Sequence, residues 1–335
     1  METGLTTAIL SAGEAAVREA ARCLKEGGLV AFPTETVYGL GADATNAAAI
    51  ARLYQAKGRP AFNPLISHVS DLAAASAIGR FGPAATALAK AFWPGPLTLV
   101  LPRASGCKVA DLATAGLETI AIRVPAHDVA RAILREFGGP VVAPSANLSG
   151  HVSPTTAAHV QSDLENRINL IVDGGPVEVG VESTIVGCFN EAMLLRPGGL
   201  PREEIERVLG RVLIQPPLDA EGDNGQPLAP GMLASHYAPR TRVRLNADSV
   251  EAGEALLAFG PLARDAEHAA AVMNLSARGD LNEAAANLFG HLRELDAKKA
   301  RTIAVMPIPS HGLGEAINDR LRRAAVERGI AGAGQ

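Results

Sequence analysis

Residues 28–68 read GLVAFPTETVYGLGADATNAAAIARLYQAKGRPAFNPLISH, and the rest of the chain is arranged around them. Leu29-Val30-Ala31-Phe32 is a short apolar run bounded by glycine, with the length of a buried strand. Pro33 stops it, having no N–H for a ladder. A polar loop carrying Thr34, Glu35, Thr36 and Tyr38 is expected next, running through Gly39 and Gly41. Asn46 then predicts the N-cap of a helix with Ile50, Leu53 and Tyr54 on one face. Lys57-Gly58-Arg59-Pro60 ends that helix, and Leu65-Ile66 begins a second strand leading to His68. Two strand ends and a helix end would thus gather hydroxyls, two cations, an amide and an imidazole, which is how open α/β sheets make ligand sites.

The dipole of a helix C-terminus favours cations whatever the function, so Lys57 and Arg59 alone fit ordinary capping. Pro60 and Asn63-Pro64 make the corner rigid, however. A fixed pair of this kind suits a triphosphate, with Arg forking onto two oxygens and Lys acting as a point charge. No Walker-type G-x-x-x-x-G-K-[ST] is present, so scattered side chains would have to hold a nucleotide.

PTETVYGLG, KGRPAFNPLISH and APSANLSG (143–150) together resemble the signature of the YrdC-like family in its long, two-domain form, the threonylcarbamoyl-AMP synthases. The resemblance covers nearly the whole chain. It implies the reaction of ATP, L-threonine and bicarbonate to threonylcarbamoyl-adenylate and pyrophosphate. The product would pass to the tRNA threonylcarbamoyl transferase machinery, and Mg2+ would accompany ATP. Carried over position by position, it implies that Thr36, His68, Arg123, the backbone at Ala143 and Ser183 surround threonine, with Arg123 on its carboxylate. Arg59, Asn63, Thr119, Ser145, Ser153, Arg196 and Tyr237 would contact ATP, with Lys57 and Asn147 beside the phosphates. Lys57 and Arg59 are the expected catalytic cations. No protein metal ligands are expected; Glu35 and Glu182 are candidates only.

Taken in order, Ser11-x-x-Glu14 predicts a capping box opening a helix over 11–27, closed by Gly27-Gly28. Pro83–Trp93 is helical with proline in its first turn. Strands are expected at 97–101, 119–124, 140–143, 170–172 and 184–186, with Arg123 on one face with Thr119 and Ala121. Several of these lie close enough in sequence to pair as hairpins. The expected fold class is therefore α/β, an N-terminal twisted mixed sheet with flanking helices over 1–210. Residues 211–240 read as a Pro/Gly-rich linker, and the resemblance gives its His236-Tyr237-Ala238-Pro239 the role of closing over the nucleotide. Residues 241–335 predict a smaller α/β, Rossmann-like domain. There Leu281, Ala285, Leu288, Leu292 and Leu295 form a core stripe, and Arg320, Arg322 and Arg323 a solvated face.

Composition limits the other functions. A formal charge of −4 argues against stable nucleic-acid binding by bulk electrostatics. No apolar run reaches the length of a membrane helix, and no secretory segment is expected. Cys23, Cys107 and Cys188 are too scattered for a disulfide framework or zinc, which fits the reduced cytoplasm. An RNA-binding module is opposed by this acidity. A hydrogenase-maturation carbamoyltransferase, sharing the domain, would need zinc-finger cysteine pairs that are not here.

Overall fold

The computed structural model describes residues 5–189, 191–215 and 237–326. They divide into two units, 5–149 with 154–215 and 150–153 with 237–326. The linker call from 216 to 236, including His236, lies outside the described residues.

In the first unit short apolar runs become strands β1 (Ala8–Ser11), β2 (Val30–Pro33), β3 (Tyr38–Asp43), β4 (Ile66–His68) and β5 (Leu97–Pro102). They are followed by β6 (Thr119–Arg123), β7 (Val141–Val142), β8 (Leu170–Asp173), β9 (Thr184–Cys188) and β10 (Ala192–Arg196). They form one sheet in the order β1-β8-β2-β3-β7-β4-β6-β5-β9-β10. β2–β3, β6–β5 and β9–β10 pair antiparallel, while β1–β8, β4–β6 and β5–β9 pair parallel, so the sheet is mixed as expected.

Helices α1 (Glu14–Lys25), α2 (Ala47–Lys57), α3 (Leu72–Ser76), α4 (Pro83–Phe92) and α5 (Asp111–Thr114) are followed by α6 (Asp128–Phe137), α7 (Ala157–Leu164) and α8 (Arg202–Leu209). Most cover one face. Leu40, Leu97, Leu99, Ile120, Ile122 and Val186 pack there against Leu53, Leu88, Val160 and Ile205 of α2, α4, α7 and α8. Each such aliphatic side chain contributes roughly 1.5–3 kcal/mol on burial. On the other face α1 and α6 cover only the β1 side, where Leu24, Ile133 and Leu134 meet Val30, Phe32, Val141 and Leu170. The remaining half of that face has a small apolar floor, Ile66, Val100, Ala121, Ile185 and Leu195, to which no helix contributes.

Two local readings are corrected. Ser11 is the end of edge strand β1, and α1 opens at Gly13 with no side-chain cap. Gly39 and Gly41 lie in strand β3, because there a Cβ would press on Ala143 at 3.2 Å and on the Phe32 ring at 2.7 Å. Asn46 caps α2 as read, accepting from the Ala48 and Ala49 N–H groups.

The second unit has strands β11 (Arg242–Arg244), β12 (Glu254–Ala258), β13 (Val272–Asn274) and β14 (Thr302–Val305), all parallel, in the order β11-β14-β12-β13. Helices α9 (Leu281–Ala297) and α10 (Leu313–Ala325) accompany them, and the α9 stripe is core. Arg320 departs from the expected solvated face. It is fully buried, paired with Asp319 at 2.6 Å, and its guanidinium sits 5.2 Å from the centre of the Tyr237 ring. A buried guanidinium needs such partners to offset its lost hydration.

Candidate active site

Strand register places the polar residues of this half of the face. His68 lies opposite Arg123, and Arg123 opposite Thr98; Ile66 pairs with Ala121, and Pro102 with Thr119. Cross-strand partners share a face, so His68, Thr98, Thr119, Ala121 and Arg123 all project onto the side of the apolar floor. Thr119 and Arg123 are four residues apart, which separates them by about 13 Å along the strand. The face therefore has two polar ends with an apolar middle.

At the Arg123 end the groups interlock. The Arg123 Nη1–H donates to Thr36 Oγ1 at 2.9 Å and Nε–H to the Gly95 carbonyl at 3.3 Å. Nη2 forms an ion pair with Glu35 Oε1 at 2.7 Å. Thr34 Oγ1 is 2.8 Å from Thr36 Oγ1 and 2.7 Å from the Val37 carbonyl. Arginine only donates and a carbonyl only accepts, so the proton order runs Arg123 to Thr36 to Thr34 to Val37. Across the sheet Ser183 Oγ lies 2.7 Å from Thr98 Oγ1, while Arg196 donates to the Ser183 carbonyl at 2.8 Å and to its hydroxyl at 3.3 Å. The tight corner holding Ser183 depends on Gly198, where an added Cβ would stand 2.4 Å from the backbone of Glu182, Ser183 and Thr184.

His68 is 2 % exposed, and its Nδ1 is 3.1 Å from the Ile66 carbonyl. That carbonyl can only accept, so Nδ1 carries the proton and Nε2 is an acceptor. Burial, then the Arg123 charge, pushes the imidazole pKa down to about 3. The ring is therefore neutral at physiological pH.

At the other end, Gly58 caps α2 in the left-handed region (φ 60°) and turns the chain sharply, so that Lys57 points inward and Arg59 follows the loop. The Arg59 Nη2–H donates to the Pro64 carbonyl at 3.1 Å, and the Tyr54 hydroxyl donates to the Asn63 carbonyl at 3.1 Å. These bonds fix Asn63, 1 % exposed, whose Oδ1 accepts no hydrogen bond. Lys57, 2 % exposed, donates to the carbonyls of Ser145 at 2.6 Å and Asn147 at 2.5 Å. The Ser149 N–H donates to the Lys57 carbonyl at 2.9 Å. Lys57 thus pins the 143–149 loop. Burial, and secondly Arg59, hold its pKa well below the ordinary lysine value. Ala143 leads into this loop, its N–H donating to the Ile66 carbonyl at 3.1 Å.

The structure thus brings Thr36, His68, Arg123, Ser183 and Arg196 together at one end of the face. Lys57, Arg59, Asn63, Ser145 and Asn147 gather around the loop, with Ala143 and Thr119 on the intervening strands. Ser153 and Tyr237 fall in the second unit, where Tyr237 is 1 % exposed and stacks on Phe289 at 5.6 Å between ring centres. Sequence reading missed Thr98, the Glu35–Arg123 pair and Gly198. Only the Arg123 alternation hinted at the first, since its partner strand is set by non-local pairing.

A mixed sheet whose face carries buried cations and hydroxyls beside a pinned Ser/Asn loop is the architecture of the YrdC-like class. Residues 22–198 match the Sua5–YciO–YrdC family model, described as telomere recombination, and residues 200–326 match the threonylcarbamoyl-AMP synthase C-terminal domain. The threonylcarbamoyl-AMP synthase of Bacillus subtilis is 44 % identical, covering 96 % of each chain, and that of Pyrococcus abyssi 42 %, covering 92 % of this chain and 94 % of its own. A crystal structure of P. abyssi Sua5 complexed with L-threonine superposes with a TM-score of 0.86 at 39 % identity, covering 95 % and 98 % of the two chains. The chain belongs to the threonylcarbamoyl-AMP synthase family.

Proposed function

We propose that this protein is an enzyme that joins ATP, L-threonine and bicarbonate into threonylcarbamoyl-adenylate, releasing pyrophosphate, as a nucleotidyltransferase supplying tRNA modification. The observation that carries this reading is the sheet face with two polar ends about 13 Å apart along β6, because the reaction needs an amino acid and a triphosphate side by side.

Threonine would lie at the Arg123 end. The guanidinium would take the carboxylate, and neutral His68 Nε2, as an acceptor, would take the hydroxyl proton. ATP would lie toward Asn63, Thr119 and the 145–147 loop, with Arg59 supplying charge there, while Arg196, bonded to Ser183, stands at the threonine end where the two substrates would meet. Lys57 would serve ATP by shaping that loop, its N–H groups being directed at the Ser145 and Asn147 carbonyls. The amine adds to carbon dioxide derived from bicarbonate, and the carbamate oxygen attacks the α-phosphorus as pyrophosphate leaves. Positioning and positive charge would supply most of the acceleration.

Mg2+ is expected with the triphosphate. Among the described residues the single convergent group of three His, Asp or Glu ligands is Asp265, Glu267 and His268, exposed in the second unit. Among the described residues, those around the sheet face do not converge as a set of metal ligands, so the triphosphate itself would carry the magnesium. No helix among the described residues is long and apolar enough to cross a membrane, and all three cysteines are free. A cytoplasmic setting, with the tRNA threonylcarbamoyl transferase machinery as consumer of the product, belongs to the same proposal.

The test is pyrophosphate release from ATP and bicarbonate with each amino acid in turn. Release that depends on threonine and on bicarbonate is expected; ATP cleavage indifferent to the amino acid overturns the reading.

A further inference from the structure

We infer that Glu35 is the anchor for the substrate ammonium group and the first acceptor of its proton. This rests on the proposed reaction and names a residue for a part of it that no positive group can perform. Glu35 is 7 % exposed, and among the described residues neither of its carboxylate oxygens accepts a hydrogen bond. Oε1 stands in the ion pair with Arg123, and Oε2 meets no donor. A buried carboxylate with an unused oxygen is costly unless something cationic completes it.

The neighbouring groups say what that cation is. Arg123 and Glu35 form an adjacent, buried plus and minus, complementary to the minus and plus of a zwitterionic α-amino acid. When the substrate carboxylate engages the guanidinium, the ammonium on the adjacent carbon falls toward the carboxylate. An uncharged or purely anionic ligand would leave Glu35 Oε2 without a donor, so the pair also disfavours simple carboxylic acids.

Carbamate formation requires the nitrogen lone pair. One ammonium N–H bond breaks and its proton passes to Glu35 Oε2. The freed lone pair forms the C–N bond to carbon dioxide, and one C=O π pair moves onto oxygen. Dehydration of bicarbonate yields carbon dioxide and hydroxide, and this hydroxide takes the proton from Glu35 as water. The second nitrogen proton leaves to solvent after the C–N bond has formed. The carbamate then carries the negative oxygen that attacks phosphorus.

The experiment is calorimetric titration of the full chain with L-threonine and with 2,3-dihydroxybutanoate, its analogue bearing hydroxyl in place of the amine. Wild type is expected to prefer threonine by about 30-fold or more, the scale of loss when a buried polar group is left unsatisfied. In Glu35→Gln, threonine weakens by about 30-fold while the dihydroxy acid changes by less than about 3-fold, and turnover at saturating threonine falls as well. Equal weakening of both ligands overturns the inference, since Glu35 would then merely orient Arg123. Should Glu35→Gln not fold, the wild-type comparison decides alone: equal binding of the two ligands overturns it, and a strong preference for the amine supports it. If wild type turns over with threonine yet fails these criteria, only the Glu35 role falls. If wild type binds neither ligand, the proposed reaction falls with it.

Discussion

Replacing Lys57 by methionine separates two roles that a lysine beside a nucleotide can play. The side chain is 2 % exposed and donates to two loop carbonyls, Ser145 at 2.6 Å and Asn147 at 2.5 Å. Each buried acceptor left without a donor costs about 1–3 kcal/mol, so the gross loss is about 2–6 kcal/mol. Against this stands relief from burying an amine whose charged form is already disfavoured by burial and by Arg59. A net destabilisation of about 2–3 kcal/mol is expected in urea unfolding, together with weaker ATP binding, while threonine affinity in the absence of ATP stays within about 3-fold. The pH dependence carries a further signature. The folded pKa of Lys57 lies below its unfolded value near 10.5, so the unfolded chain binds more protons between the two. Wild type should therefore gain stability relative to Lys57→Met as pH rises toward that unfolded value, and lose it as pH falls through the folded pKa. A variant as stable as wild type within about 0.5 kcal/mol, yet more than tenfold weaker for ATP, would refute the loop-pinning argument and make Lys57 a direct phosphate ligand.

The His68 pKa is depressed to about 3, so its contribution to stability is complete above pH 6.5 and is lost as pH falls from there toward 3. Its ring resonances in NMR should not titrate between pH 5 and 8; a midpoint near 6.5 would contradict the buried placement. Gly198→Ala forces a methyl group to within 2.4 Å of the Ser183 backbone, and is expected to weaken threonine binding at least tenfold while destabilising the fold by about 1–3 kcal/mol. Unchanged threonine affinity in calorimetry would sink that expectation. Phe289→Ala removes the stacked partner of Tyr237 and a fully buried ring, expected to cost about 3–5 kcal/mol in unfolding of the second unit. A loss below about 1 kcal/mol would show that the Tyr237 cradle is not packed as described.

Local chemistry was legible where a residue's neighbours in sequence decide its role. Asn46 capped its helix because the cap bonds reach only two and three residues ahead. The alternation over 119–123 placed Arg123 on the correct face because strand period is intrinsic to the backbone. What failed to show was set by distant segments. β1 forms only because β8 lies alongside it, so Ser11 looked like a cap. Gly39 and Gly41 looked like loop residues although close packing against Ala143 and Phe32 requires them in a strand. Arg320 looked solvated because charge patterning cannot reveal an Asp319 pair and a Tyr237 ring held around it. In the same way, the individual cations and hydroxyls of the site could be named one by one. The Glu35–Arg123 pair and the Thr98–Ser183 contact needed the sheet order to become visible.

In the proposed reaction one sheet face receives both substrates at once. This is tested most directly by competition with a single unreactive molecule, threonine linked through its nitrogen by a carbonyl to adenosine 5′-sulfamate, a sulfonyl-urea link in place of the reactive carbamoyl phosphate, with its carboxylate left free. The account predicts that it binds once per chain and displaces both labelled L-threonine and labelled ATP. If it displaced one substrate while the other stayed bound, the two ends described here would not belong to a single site.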